Sequence, residues 1–429
     1  MATAILLAGN GLQSALVPIR ADLEGFTTFE IAALGSAYFA GVLIGSVLIP
    51  SLVSAVGHVR THSAMTALVA AVTLAYSLAP DPVWWIVLRV LYGIFLSGIY
   101  LVVESWLSDR SDNTSRGSVL SVYTVINLVM MAVGQMLINL ADPLGHELFI
   151  LSALLVSLAA VPVALSRSAT PTPAPTGGLR LATIANLPRV ALIGAITGGI
   201  TTGAFWGLGP VFAEASGMTT RGVSLFLAAT IMGGAVWQWP LGRLSDLVDR
   251  RRVIILCLVG AAAAGTYLHM MPGLALREQL LAVFAFGAFA FPLYAVSVAH
   301  SMDWAEADEV VPTATALLFL TGLGALAGPL MAATVIGYLG ESALFLFTSM
   351  VHGSAAVVAV VMIATKAPVD VDQKVEFQLA PRTTPVAYEL SDYGEEGAAD
   401  EAEAAVETGG PGDDDETNAG GTGPAVQSA

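Results

Sequence analysis

Stretches of about twenty apolar residues, divided by short polar segments, follow one another from residue 4 to residue 365. Each is long enough to cross the ~30 Å hydrocarbon core of a bilayer as a helix. The pattern predicts spans at 4–22, 28–55, 60–79, 83–107, 116–140, 146–166, 189–212, 221–248, 250–271, 278–301, 311–338 and 342–365. One long connection rich in Pro, Gly and Thr, SRSATPTPAPTGGLRLATIANL at 167–188, separates six spans from six. The expected organisation is a bundle at 1–166, a linker at 167–188, a bundle at 189–366 and a tail at 367–429.

Composition agrees: 55% of residues are hydrophobic and 12% charged, where a soluble domain carries roughly 25% charged. The predicted class is an all-α polytopic membrane protein. The first apolar run has no basic residue ahead of it, so it is read as a span and not as a signal peptide. The net charge of −16 is misleading, because residues 367–429 hold 15 acidic residues against Lys374 and Arg382. That tail is poor in aromatics and is expected to be disordered, its role solvating or partner-binding. Cys257 is the only cysteine, so no intramolecular disulfide is available. No metal spacing, phosphate loop or nucleophile–base pairing occurs, so neither an enzyme nor a cofactor is expected, and no nucleic-acid partner.

The distribution of cations predicts orientation. Arg60, Arg110, Arg116, Arg167, Arg180, Arg189, Arg243, Arg250, Arg251, Arg252 and Lys366 fall on one set of span ends, and only Arg20, Arg221 and Arg277 on the other. Cytoplasmic loops collect positive charge, which puts both termini and the linker inside the plasma membrane of a prokaryote. Shifting the chain by 192 residues superposes Gly11 on Gly203, Pro18 on Pro210, Asp22 on Glu214, Gly25 on Gly217, Thr27–Thr28 on Thr219–Thr220, Gly41 on Gly233 and Arg60 on Arg252. The predicted architecture is therefore twelve transmembrane helices as two six-helix bundles, a parallel repeat about an axis along the membrane normal.

Charges inside the apolar runs carry the candidate chemistry. WWIVLRVLYGIFLSGIYLVVESWL, residues 84–107, holds Arg89 and Glu104. A charge at mid-bilayer costs at least ~2.5–3.5 kcal/mol, so Arg89 requires a wet cavity or polar partners. Arg89 and Gly93, four residues apart, share a helix face with Tyr92 beside them. Glu104 lies ~22 Å further along that helix and cannot reach Arg89. It is expected to bind Arg116 or the start of the fifth span, with proton transfer as the alternative.

PLGRLSDLVDRRR at 240–252 resembles the loop signature of the major facilitator superfamily, and Arg89 with Gly93 resembles the superfamily's fourth-span motif. The segments GLQSALVPIRADLEG, ESWLSDRSDNTSRG with Tyr123 and Gly134–Gln135, AHSMD and GLGALAGP are similar to its YcaD-like branch. The resemblance implies a secondary transporter of a small organic solute working by alternating access. Its first form is proton-coupled efflux, an antiporter. The alternatives are an uncoupled facilitator, an uptake transporter, or a transporter-like sensor acting through the acidic tail.

The resemblance also implies roles. A cytoplasmic latch would comprise Gly242, Arg243, Asp246, Arg250, Arg251 and Arg252, with a degraded counterpart at Gly57, His58 and Arg60. The substrate pathway would be lined by Asn10, Gln13, Arg89, Tyr92, Thr201, Thr202, Trp206 and Tyr294, then Tyr123 and Asn127, each alternatively a helix-packing contact. Proton coupling would use Arg89, Glu104 or His300. Gly93, Gly324, Gly328 and Pro329 would serve close helix packing. The expected partners are the solute, membrane lipid and protons.

Overall fold

The structure is a computed structural model that describes residues 2–110, 116–165, 181–271, 273–306, 309–340, 342–363, Lys374 and Phe377. Twelve helical segments among these are long and apolar enough to cross a membrane. The first six are α1 (Ala2–Leu23), α2 (Thr28–Val56), α3 (His58–Ala75), α4 (Pro82–Arg110), α5 (Arg116–Met136) and α6 (Glu147–Ala164). A short helix α7 (Leu181–Asn186) follows inside the segment expected as linker. The second set is α8 (Arg189–Ala215), α9 (Thr220–Leu247), α10 (Arg250–Met270), α11 (Leu276–Ala290), α12 (Pro292–Met302), α13 (Val310–Leu339) and α14 (Ala343–Ile363).

The tenth span, expected as one helix, is two. Proline at 292 has no N–H to give and its ring crowds the carbonyl four residues back, so α11 ends at Ala290 and α12 restarts at Pro292. The Phe291 N–H still bonds the Gly287 carbonyl at 3.1 Å, which keeps the two pieces continuous as one span.

The repeat is visible in the local geometry. Gly25 and Gly217 both turn with positive φ, at 79° and 80°, a conformation that a Cβ opposes. Thr27 and Thr219 then cap α2 and α9 with their hydroxyls. Thr27 has a full capping box with Glu30, whereas its counterpart faces Gly222 and has only the hydroxyl. Helix pairing repeats too. Gly41 and Gly93 bring α2 against α4, as Gly233 and Gly287 bring α9 against α11. Likewise Gly11 and Gly134 join α1 to α5, while Gly203, Gly324 and Gly328 join α8 to α13. In every case an added Cβ would meet the partner's backbone, so close approach is built on small residues.

Apolar side chains cover the outside and polar ones are drawn in, as a lipid solvent requires. Leu154 and Leu158 on α6 and Val357 and Val361 on α14 are each more than half exposed or close to it, while Gln13, Glu104 and His352 are completely buried. The bundles meet along α2 with α13, α5 with α9, and α1 and α2 with α8. Gly35 touches Gly207 and Pro329, Leu43 packs at Gly322, and the Asn139 side-chain amide donates to Ser224 Oγ at 2.9 Å. The carboxyls of Asp22 and Glu214, superposed by the repeat, meet across the same junction. These contacts lie at mid-helix or toward the arginine-poor end, where the bundles are closed.

Candidate functional site

Arg89 sits seven residues into α4, roughly 10 Å from its start at 1.5 Å per residue. It is only 7% exposed. Tyr38 of α2 lies with its ring centroid 5.3 Å from the guanidinium carbon, and Tyr92, one turn along α4, at 6.0 Å. Tyr76, at the end of the third span, adjoins the same guanidinium. Such ring faces attract a cation by about 0.5–2 kcal/mol each without neutralising it. No carboxylate among the described residues pairs with Arg89, and its Nε has no hydrogen-bond partner. Gly93, which shares the face of Arg89, lets α2 approach so closely that Tyr38 reaches the arginine.

A hydrogen-bonded chain continues inward. The Tyr92 hydroxyl donates to Asn10 Oδ1 at 3.0 Å, and Asn10 Nδ2 donates to the Tyr100 hydroxyl at 3.2 Å. One turn along α1, Gln13 Nε2 reaches Thr73 Oγ1 at 3.4 Å while its carbonyl has no partner. Gln135 of α5 is fully buried with neither amide atom bonded. Arg89, Tyr92 and Asn10 are thus joined within the first bundle, with Gln13 one turn from Asn10.

Tyr123 stands apart from that group. It is buried on α5 and donates its hydroxyl to Glu104 Oε1 at 2.9 Å. Glu104, toward the end of α4, is completely buried, because α5 folds over it. The Arg116 side chain proposed as its partner lies outside the described residues. Asn127, one turn beyond Tyr123, is partly exposed.

The second bundle offers rings. Phe205 on α8 contacts Trp206, Phe226, Phe286 and Phe291, and Trp206 lies 6.1 Å from Phe291 at the break between α11 and α12. Thr202 is partly exposed, on the same helix as Trp206, and Tyr294 is buried. Thr201 bonds back to the Thr197 carbonyl and faces His352 Nε2 of α14 at 3.3 Å, which makes it part of the interior of its own bundle.

The arginine-rich end holds a set of buried charges. Arg250 pairs with Asp246 at 3.2 Å and with Asp303, at the end of α12, at 3.0 Å. Arg250 and Asp303 are almost wholly inaccessible. Asp249 caps α10 and chelates Arg251, with two contacts of 3.0 Å and one of 2.7 Å. Burial alone would raise the Asp249 carboxyl's pKa, but the hydrogen bonds from Arg251 outweigh it and hold it below the usual value. His300 sits beside Asp249, far from the Arg89 cage. Arg252 points to solvent, as does Arg243.

Two tail residues dock here. The Phe377 N–H donates to Asp246 Oδ1 at 3.0 Å, its ring covers Gly242, and Lys374 Nζ donates to the Val248 carbonyl at 2.6 Å. Gly242 is therefore a seat for a ring inside α9. Burial and the Arg250 charge push the Lys374 pKa down, which Asp303, Asp249 and Asp246 partly offset. The first-half counterpart is thinner. Gly57 turns with φ 88° between α2 and α3, His58 is buried with Nε2 unbonded, and Arg60 is exposed.

Sequence inspection missed Tyr38, Tyr76, Tyr100, Gln135 as a site residue, and His352. The tyrosines stand in apolar runs as ordinary lipid-facing or packing residues would, and only the pairing of α2 with α4 brings Tyr38 to Arg89. Gln135 and His352 did carry a signal: a polar side chain in the middle of an apolar run.

The sequence matches the pattern of the Major Facilitator Superfamily over residues 1–239 and 191–395. An uncharacterized MFS-type transporter of Yersinia pestis (strain Pestoides F) is 29% identical over 353 residues, covering 80% of this chain and 88% of the relative. The MFS-type transporter YcaD of Escherichia fergusonii is 28% identical over 358 residues, covering 81% of this chain and 90% of that one. Among solved structures, a bacterial homolog of the human lysosomal transporter Spinster, in an inward-facing and occupied conformation, superposes with a TM-score of 0.69 at 14% identity, covering 87% of this chain and 97% of that one. With repeated bundles, a buried polar cluster in the first of them and these matches over most of its length, the chain belongs to the Major Facilitator Superfamily of membrane transporters.

Proposed function

We propose that the chain carries a small organic solute across the plasma membrane by alternating access. The observation that carries this reading is the placement of the Arg89 cage and the Trp206 wall beneath a junction closed at the arginine-poor end. With the arginine-rich end and both termini in the cytoplasm, the captured state is closed to the outside. Rocking of the bundles about the site would open the other face.

Efflux in exchange for protons is the proposed direction, with Glu104, buried on the same helix as Arg89, as the coupling carboxyl. An uncoupled facilitator would show flux independent of the pH gradient. A sensor acting through its tail gains some support from Lys374 and Phe377 seated on the Asp246–Arg250 charges. In that reading, removal of residues 367–429 abolishes function and Arg89 is dispensable; transport requires the reverse.

A test that needs no known solute uses a disulfide across the closed end. Asn139→Cys with Ser224→Cys would lock the junction, and Thr202→Cys would report access to the site. The reading expects a membrane-impermeant maleimide to label the reporter only from the cytoplasmic side when locked, and from both sides after reduction. Labelling of the locked protein from outside would contradict it.

A further inference from the structure

We infer that the solute carried at this site is a small organic carboxylate with an apolar body, its negative charge held by Arg89. The inference rests on the transport reading above and adds the chemical class of the cargo.

Charge balance is the first argument. A buried guanidinium without a counter-charge is costly, and the first bundle does not supply one. Among its described carboxylates, Glu24 pairs with Arg20, Glu30 closes the cap of α2, Asp81 caps α4, Glu104 holds Tyr123, Asp22 meets Glu214, Asp109 lies near His58, Asp142 accepts from the Leu144 N–H and Glu147 opens α6. Two phenol faces reduce the cost of burying Arg89 but leave its unit charge in place. A monoanion completes the site; a cation would add repulsion to a charge already unpaired.

The second argument is geometric. A guanidinium presents planar donors that match a carboxylate in a two-point contact, and Arg89 Nε stands unbonded. The Tyr76 hydroxyl beside the guanidinium is a further donor to a carboxylate oxygen. The opposite wall dictates the rest of the molecule. Gly35, one turn from Tyr38, touches Gly207, the neighbour of Trp206. Tyr38 and Trp206 thus stand within one turn of the point where α2 and α8 touch, and Trp206 lies against Phe291. A ligand spanning both carries its charge at one end and an apolar group at the other.

The test uses matched probes on the purified full-length protein: benzoate with benzamide, octanoate with octanamide, and benzylamine as the cationic control. Ligand that binds the native state raises its melting temperature. The expected result is stabilisation by at least one acid and by neither amide nor amine, with apparent affinity falling about tenfold or more in Arg89→Gln, as for a lost charged hydrogen bond. Arg89→Lys, which keeps the charge, should retain part of the effect and guards against a Gln variant that simply folds poorly. Equal stabilisation by acid and amide, stabilisation by the amine, an acid effect unchanged in Arg89→Gln, or no response to any acid overturns the inference. Flux of the bound acid in proteoliposomes separates the two readings. Binding without flux defeats transport and leaves the anion site, whereas flux of a neutral or cationic solute defeats the anion site and leaves transport.

Discussion

The two bundles repeat each other in packing and differ in chemistry. Aligned on the paired glycines Gly93 and Gly287, Arg89 falls opposite Val283, Tyr92 opposite Phe286 and Tyr100 opposite Tyr294. The first bundle thus presents a cation, an asparagine and tyrosine hydroxyls, and the second a set of packed rings. Where backbones must touch, both copies kept glycine, since any side chain there would separate the helices. Inside each bundle, where the backbones do not touch, the two copies differ in side-chain chemistry. The halves thus offer different chemistry, a buried charge in one and packed rings in the other.

The buried charges at the arginine-rich end divide the other way. The second bundle has Asp246, Arg250 and Asp303 in one chain of contacts, covered by Phe377. Among the described residues, the first has Gly57, the buried His58 with the exposed Asp109 near it, and the exposed Arg60 at the equivalent place. The most deeply set arginines of the two halves therefore differ in kind. Arg89 has no carboxylate beside it among the described residues, and Arg250 has two.

Exchanging these roles gives the sharpest tests, beginning with the largest expected effect. Arg89→Ala should reduce flux of the stabilising solute by about a hundredfold or more, while membrane insertion and elution as a folded species stay as in the parent. A hundredfold is the upper range for a lost charge-assisted hydrogen bond. Flux near the parent's would remove Arg89 from the mechanism and with it the contrast between bundles.

Asp303→Asn should act on stability instead. Removing one partner of a buried ion pair costs about 3–5 kcal/mol, and Arg250 and Asp303 are both inaccessible to solvent. Thermal unfolding in detergent measures it; a change below about 1 kcal/mol, the scale of an exposed pair, would show that Asp246 alone suffices for Arg250.

Gly93→Ala and Gly287→Ala probe what the bundles share. Each added methyl meets the facing helix backbone, Tyr38 in one case and Thr230 in the other. Overpacking of this kind costs about 1–3 kcal/mol, and the two losses should be alike. Only Gly93→Ala should also weaken solute binding, because only there does the displaced helix carry a member of the cage.

Tyr123→Phe is the mildest change. It removes one hydrogen bond to the buried Glu104, worth about 1–3 kcal/mol when a charged acceptor loses it. Denaturation by heat should register the loss, with solute affinity unchanged, since Tyr123 does not touch the Arg89 cage. A selective loss of pH-dependent flux in the same variant would support Glu104 as the coupling group.

Much of the fold could be read from the chain because lipid imposes length and polarity on every span. The helices, the division into two sets of six and the glycines of the repeat follow from that constraint. The break at Pro292 was present as a residue, yet proline also lies unbroken within α2, α8 and α9, at Pro50, Pro210 and Pro240. Position alone did not distinguish them. Arg89, Tyr92 and Asn10 were legible as candidates because polar groups are costly in an apolar run. Tyr38 and Tyr76 were not, since the cage depends on which helix faces α4 and at what height. That Glu104 and Asp303 are covered was not legible for a related reason: position along a helix does not record what folds over its end.

The measurement that bears most directly on the whole account is a pair of spin-label distances in proteoliposomes. One pair, at Phe29 and Arg221, reports the arginine-poor end, and the other, at Arg60 and Arg252, the arginine-rich end; all four side chains are exposed and each pair is related by the repeat. Alternating access predicts that solute, or a pH step in its absence, lengthens one distance while shortening the other. Distances that stay fixed, or lengthen and shorten together, would contradict a rocking two-bundle transporter.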